Sequence, residues 1–411
     1  MRKESSFIAV MLALLVQGAA AGASSPVSEM ERLPQDARHH SEPAPSVKAP
    51  AGMLSLDDDE LSAVTGQALF VTDVIEGDPG SPETNFTYYR MGLDVNLELN
   101  ANIDKMQLGC GGFNESVVSN ACDIDMDFVR LMGLNAAGDG PSPEGATSSF
   151  SLLRPYIELA VTGDDDPALR EIVGVKIGSQ QANGYFGVGR VYEQGQVNQE
   201  FGGTCGSETG DQKLACHTGL NRISGYLNTE LSGQFVINTS LGSGTACMGN
   251  VTATQAGFTN MTGRCNTPLF VEIQGTRVNE MFEPGLELTV TDGLFTVLEW
   301  IGLNTAYATV QQNLRFIHGF SLEDTADFFL SFQRQLVAYP DFDGEDFSVP
   351  ANAGWWMNVP QVGVRNFFGS EVVLDGGLGE TLGALSSPGP LVSNSELNSV
   401  PPVNCYSGQF C

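Results

Sequence analysis

The residues able to do chemistry in this 411-residue chain are eight cysteines, four histidines and 49 acidic side chains. The cysteines come in couples: Cys110 and Cys122 lie 12 apart, Cys205 and Cys216 lie 11, Cys247 and Cys265 lie 18, and Cys405 and Cys411 lie 6. Many pairings are open to eight cysteines, but pairing nearest neighbours closes four short loops at the lowest entropic cost. Zinc is the competing reading. No C-x-x-C occurs, and only His217 and His318 lie beyond the first forty residues, so the spacing suits disulfides better than a four-ligand metal site.

Hydrolytic chemistry needs a nucleophile within reach of a base. The sequence has no G-x-S-x-G elbow and no H-E-x-x-H pair. His217 follows Cys216 in a polar stretch and is expected at the surface beside a disulfide. His318, between Ile317 and Gly319, is expected in the core or a turn. Carboxylates are numerous enough for a paired-carboxylate hydrolase, but sequence gives no separation between any two of them. Asp341, Asp343, Glu345 and Asp346 make an oxygen-rich turn, as do Asp164, Asp165 and Asp166. Neither completes an EF-hand loop, so solvated turns are expected, with calcium the one cofactor they suggest. Gly184, Gly187 and Gly189 sit in strand-like sequence with no helix after them, and are expected to relieve crowding in a curved sheet. Trp355 and Trp356 must face opposite ways on a strand. One is expected in the core, the other as a contact for a protein or surface glycan.

Charge narrows the partners. A net −30 repels phosphate backbones and anionic membranes, which disfavours nucleic acid.

The elements that position these residues begin with an export signal. Arg2 and Lys3, an apolar run from Phe7 to Val16 and small residues from Gly18 to Ser25 form a cleavable signal peptide over residues 1–23. No later run is long and apolar enough for a transmembrane helix. Residues 24–52, rich in Pro, Ser, Ala and charge, read as a disordered linker. Residues 53–67 read as a short amphipathic helix, with Ser55 and Asp58 at its start, Leu54, Leu61 and Val64 on one face, and Gly66 at its end. Leu56, Glu60, Leu61, Val64 and Gly66 resemble the double-glycine leader of exported bacterial peptides, with Gln67 in place of the second glycine. The Glu60–Gln67 stretch, ELSAVTGQ, looks more like a segment of uncharacterised exported β-rich proteins of Gram-negative bacteria. That resemblance implies export and carries no known activity.

Beyond Gly66 the apolar period becomes two. Leu93, Val95, Leu97, Leu99, Ala101 and Ile103 alternate with polar residues, predicting one long strand. Ile124, Met126 and Phe128 alternate with Asp123, Asp125 and Asp127, predicting an acidic solvent face. Ile157 to Val161, Val173 to Ile177, Ile223 to Ile237, Leu269 to Ile273, Leu286 to Val290 and Phe328 to Phe332 add further strands. The reading is all-β: a large antiparallel β-sandwich or pair of stacked sheets over residues 68–382, preceded by the short helix. A Ser/Pro-rich tail, 383–411, follows and carries Cys405 and Cys411. An outer-membrane barrel is disfavoured by that ending and by only three tryptophans. Function is expected to be that of a non-enzymatic structural or interaction protein, adhesive, surface-layer or filament-associated, at the cell surface or outside the cell, with the periplasm the alternative location. An envelope binder of apolar ligands and a secreted carboxylate-dependent hydrolase are the alternatives.

Overall fold

The computed structural model describes residues 70–136, 141, 148–199, 203–206, 211–232, 235–239, 242–248, 250–255, 258–262, 269–290, 305–365, 372–373 and 389–393. The signal peptide, the linker, the 53–67 helix, Cys265, Cys405 and Cys411 lie outside them. The chain divides into two units, Met1–Gln67 and Ala68–Cys411, and all described residues belong to the second.

That unit is all-β. Its chief sheet has eleven strands: β1 (Phe70–Glu76), β2 (Thr87–Leu93), β3 (Asn96–Leu99), β4 (Ala101–Leu108), β5 (Ile124–Met132), β6 (Phe150–Thr162), β7 (Glu171–Gly187), β8 (Leu220–Ser232), β9 (Leu269–Val278), β10 (Gly319–Gln333) and β11 (Gly354–Arg365). Six further strands, from Phe235–Thr239 to Gly389–Ser393, form a second sheet.

The chief sheet closes on itself, because β7 serves two partners along one edge. Its first part, Glu171–Asn183, pairs with β6, whereas Tyr185–Gly187 pair with β5. Gly184 stands at the switch with φ 151°, and a Cβ there would lie 2.4 Å from the Phe150 ring; only glycine fits. The circuit β5–β7–β10–β11–β8–β5 is then complete. One sheet thus supplies both walls of a core that two facing sheets were expected to share. The pairing is also mixed, since β8 runs parallel to β11. Parallel pairs recur in the second sheet, where the predicted coil of the tail supplies the strand Gly389–Ser393 beside Thr305–Asn313.

Two further expectations are corrected. The single long strand from Leu93 is broken twice: Leu93 ends β2, and the rest divides at Asn100 into β3, which pairs with β6, and β4, which pairs with β5. The acidic face of β5 is largely withdrawn from solvent: Asp123 and Asp127 are fully buried, and Asp125 keeps only part of its exposure. Ring closure covers both faces of β5, so these carboxylates survive only by being paired.

A second core lies under an arch from Arg334 to Ala353. Phe86, Tyr88, Phe329, Val337, Tyr339 and Trp356 pack there, and the Tyr88 hydroxyl donates to Ala338 O at 2.5 Å. Among the described residues Trp356 is the largest fully buried side chain, and Trp355 is half-buried on the opposite face, as strand alternation requires. Trp356→Ala is expected to lower the unfolding free energy by ~3–5 kcal/mol. Trp355→Ala should cost less than half as much, and urea unfolding of the two variants measures the difference.

Candidate functional site

Two of the four expected disulfides fall on described residues, and both are formed: Cys110–Cys122 and Cys205–Cys216. The first staples a loop held by one buried ion pair. Arg277, on β9, places Nε 2.9 Å from Asp123 Oδ1 and donates to Val118 O at 2.6 Å and Gly109 O at 3.0 Å. Asp123 also accepts from Asn114 Nδ2 and from the backbone N of Trp355, both at 2.9 Å. A single carboxylate therefore ties the stapled loop, β9 and β11 together.

The consequence is an aromatic patch. The loop sets Phe113 with its ring 6.2 Å from that of Phe332, which lies 5.3 Å from Trp355. Phe113 is 56% exposed and Val117 of the same loop 55%. The rings are tilted 43° and 46° to one another, so they pack together and offer edges outward. Phe113 and Arg277 were not singled out from sequence, and Asp123 and Phe332 entered only as positions in strand patterns. The available signals were a carboxylate directly after a cysteine, and one of only 19 cations set inside an apolar strand. Arg277→Ala strands a buried carboxylate, which costs ~3–5 kcal/mol. Limited proteolysis should then cut within 111–121 at protease levels that leave the wild type intact.

The patch continues across the sheet. Cross-strand partners form one row of Val74, Tyr89, Leu159, Val175, Phe332 and Trp355, and a second of Met91, Ile157, Ile177, Leu330 and Met357. All but Met357 keep some exposure, with Val74 and Met91 more than half exposed. Met357 also lines the ring's interior with Met126, Phe186, Ile223, Leu227 and Phe320 among others. Those side chains fill it, leaving a void of about 10 Å³, whereas small-molecule pockets run to roughly 300 Å³ or more. The closed interior is packed core, and the half-exposed rows outside it are the accessible apolar surface.

The acidic turn lies on the other face, with Trp356. Arg90 donates to Asp341 O at 2.7 Å and also to Phe342 O, and Lys176 Nζ donates to Pro340 O at 2.7 Å. Asp341 Oδ1 accepts from Glu345 N at 2.9 Å, while Asp343, Glu345 and Asp346 are exposed. Two buried cations thus anchor the turn through its backbone carbonyls, and leave three of its four carboxylates at the surface. Among the described residues no group of three or more His, Cys, Asp or Glu side chains is placed to hold a metal.

The histidines overturn one expectation. His217 is buried, at 4% exposure, and is stacked on His318 with His217 Nδ1 3.0 Å from His318 Nε2. His318 Nδ1 lies 3.2 Å from Val188 O, so that nitrogen carries the proton and Nε2 accepts from His217. The Cys205–Cys216 staple and the Phe316 ring, 4.4 Å away, bring His217 inward. Its neighbour Thr218 donates its hydroxyl to Asp127, which also accepts from Asn221 Nδ2 at 2.7 Å and lies 2.6 Å from Lys105 Nζ. Neither imidazole touches a hydroxyl or thiol nucleophile in these contacts.

Burial pushes His217 down to about 3, helped by His318 and Lys213, and pushes His318 down to about 4. Both are neutral when folded and would protonate near 6.5 when unfolded. Their contribution is complete above pH 6.5 and is lost as pH falls toward 4, since only the unfolded chain takes up the protons. Each histidine costs ~1.4 kcal/mol per pH unit across that window. Urea unfolding at pH 6.5 and 5.5 should show a loss of ~2 kcal/mol, and His318→Gln should halve it.

No family model matches this chain, and no curated protein or solved structure matches it.

Proposed function

We propose that this chain is an exported, non-enzymatic interaction protein of the cell surface, and that it meets a protein partner through Phe113, Val117, Phe332 and Trp355. The observation that carries the reading is the stapled loop: a disulfide and a buried Asp123–Arg277 pair hold two large apolar side chains more than half exposed. Apolar groups held out by a rigid support mark contact sites more often than chance exposure does. Aromatic side chains set in such patches dominate binding energy when a partner covers them.

Other features support the reading. The buried carboxylates Asp123 and Asp127 are engaged by structural partners, and the two histidines pair with each other. Oxidised staples suit an exported chain, and no helix among the described residues is long and apolar enough to cross a membrane. The mutually tilted rings and neighbouring Val117 favour a protein surface over a stacked sugar, which would want coplanar rings. The net charge of −30 favours partners that are neutral or basic around an apolar centre.

Mild protease treatment of intact cells tests the location: the chain should be lost while periplasmic markers survive. The double variant Phe113→Ser/Trp355→Ala tests the site. It should bind cells or purified surface material at least about tenfold more weakly, the scale of one lost hot-spot residue, while still melting in one cooperative step with no more than the modest loss expected for Trp355→Ala. Loss of binding on glycan digestion of the target would move the partner class to a sugar.

A further inference from the structure

Arg90 on β2, Glu158 on β6 and Lys176 on β7 stand directly opposite one another in the sheet. Glu158 and Lys176 have no exposure, and Arg90 has 4%. The two oxygens of Glu158 are held differently. Oε2 accepts from Arg90 Nε at 2.7 Å and lies 2.6 Å from the same guanidinium's terminal nitrogen. Oε1 accepts no hydrogen bond and lies 3.6 Å from Lys176 Nζ. The rings of Phe329, Tyr156 and Tyr339 enclose that nitrogen at 4.7, 5.1 and 5.7 Å, and Pro340 O fixes its direction at 2.7 Å.

An ammonium and a carboxylate kept so dry are an expensive pair. Burial pushes the Lys176 amine down toward its neutral form. It pushes the carboxyl of Asp327, which lies within electrostatic reach of Lys176, up toward its protonated form. An amine whose charge is disfavoured by burial, 3.6 Å from a carboxyl oxygen in a water-poor, aromatic site, is arranged for condensation, with the encounter already made by the fold.

We propose that Lys176 and Glu158 condense to an intramolecular isopeptide bond joining β6 to β7. One ammonium proton passes to Oε1, and the neutral amine attacks Cδ. A second proton follows to Oε1, which leaves as water as the Cδ–Oε1 bond breaks and the Nζ–Cδ amide bond remains. Arg90 stays on Oε2, stabilising the negative charge of the tetrahedral intermediate, and that oxygen becomes the amide carbonyl. Nothing is oxidised and no co-reactant is consumed. Both buried charges disappear, and two neighbouring strands of the chief sheet gain a covalent cross-link. The bond does not rest on the surface-contact reading and adds to it a staple of a different chemistry.

The test is mass spectrometry of the exported, folded chain after reduction. The wild type should be lighter than its processed sequence by one water, and Lys176→Met should have its full sequence mass. Tryptic digestion after denaturation should yield a branched peptide joining the segments of Glu158 and Lys176, with no cleavage after Lys176. Glu158→Gln should lose one ammonia instead of one water, which separates the reaction from a failure to fold. A linear mass with normal cleavage after Lys176 in the folded wild type overturns the proposal. A branch from Lys176 to Asp327 overturns the assignment to Glu158.

Discussion

The structure depends on β7 exchanging partners at Gly184. A strand has two hydrogen-bonding edges, and along most of its length β7 uses them for β6 and β10. At Tyr185 to Gly187 the first edge passes to β5, and that exchange turns an open sheet into a closed circuit. Closure follows from satisfying the backbone: once β6 diverges, the last residues of β7 would have unpaired amides inside the core, and β5 supplies the partners. The burial of β5 on both faces, the filled interior and the inward histidines all follow.

Closure also explains where the charges are. In this acidic chain three buried cations are placed at junctions: Arg90 and Lys176 hold the arch and its acidic turn, and Arg277 holds the stapled loop, while the partly exposed Lys105 meets the buried Asp127. Each buried carboxylate is a junction between segments remote in sequence, as with Asp123 and Arg277, 154 residues apart. Such junctions add little net stability, because desolvation offsets attraction. They discriminate between registers, since a one-residue slip would bury a charge with no partner.

These junctions shape the surface. The loop carrying Phe113 and Val117 is exposed yet fixed, because its ends are joined by a disulfide and its interior is filled by a guanidinium. A fixed apolar loop loses less conformational entropy on meeting a partner than a floppy one does. The face bearing the loop also carries the half-exposed rows from Val74 to Trp355 and from Met91 to Leu330, whereas the acidic turn is on the opposite face.

What the sequence determined by itself was local. Alternation at Ile157, Leu159 and Val161 or at Phe328, Leu330 and Phe332 marks strands because side chains on a strand reverse at every residue. The short spacing of Cys110 from Cys122 and of Cys205 from Cys216 marks staples because short loops close cheaply. The Trp355–Trp356 pair forces one ring inward whatever the topology. What only the tertiary structure decided was every relation between distant segments. Alternation tells which residues share a face but not what covers it, so Asp123 and Asp127 looked solvated until ring closure buried them. His217 looked exposed until Phe316 and His318, about a hundred residues away, were folded against it. The parallel pairing of β8 with β11, the contact of Phe113 with Phe332, and the meeting of Arg90, Glu158 and Lys176 depend on strand order and register. Those are set by the packing of the whole sheet, and no local run of residues encodes them.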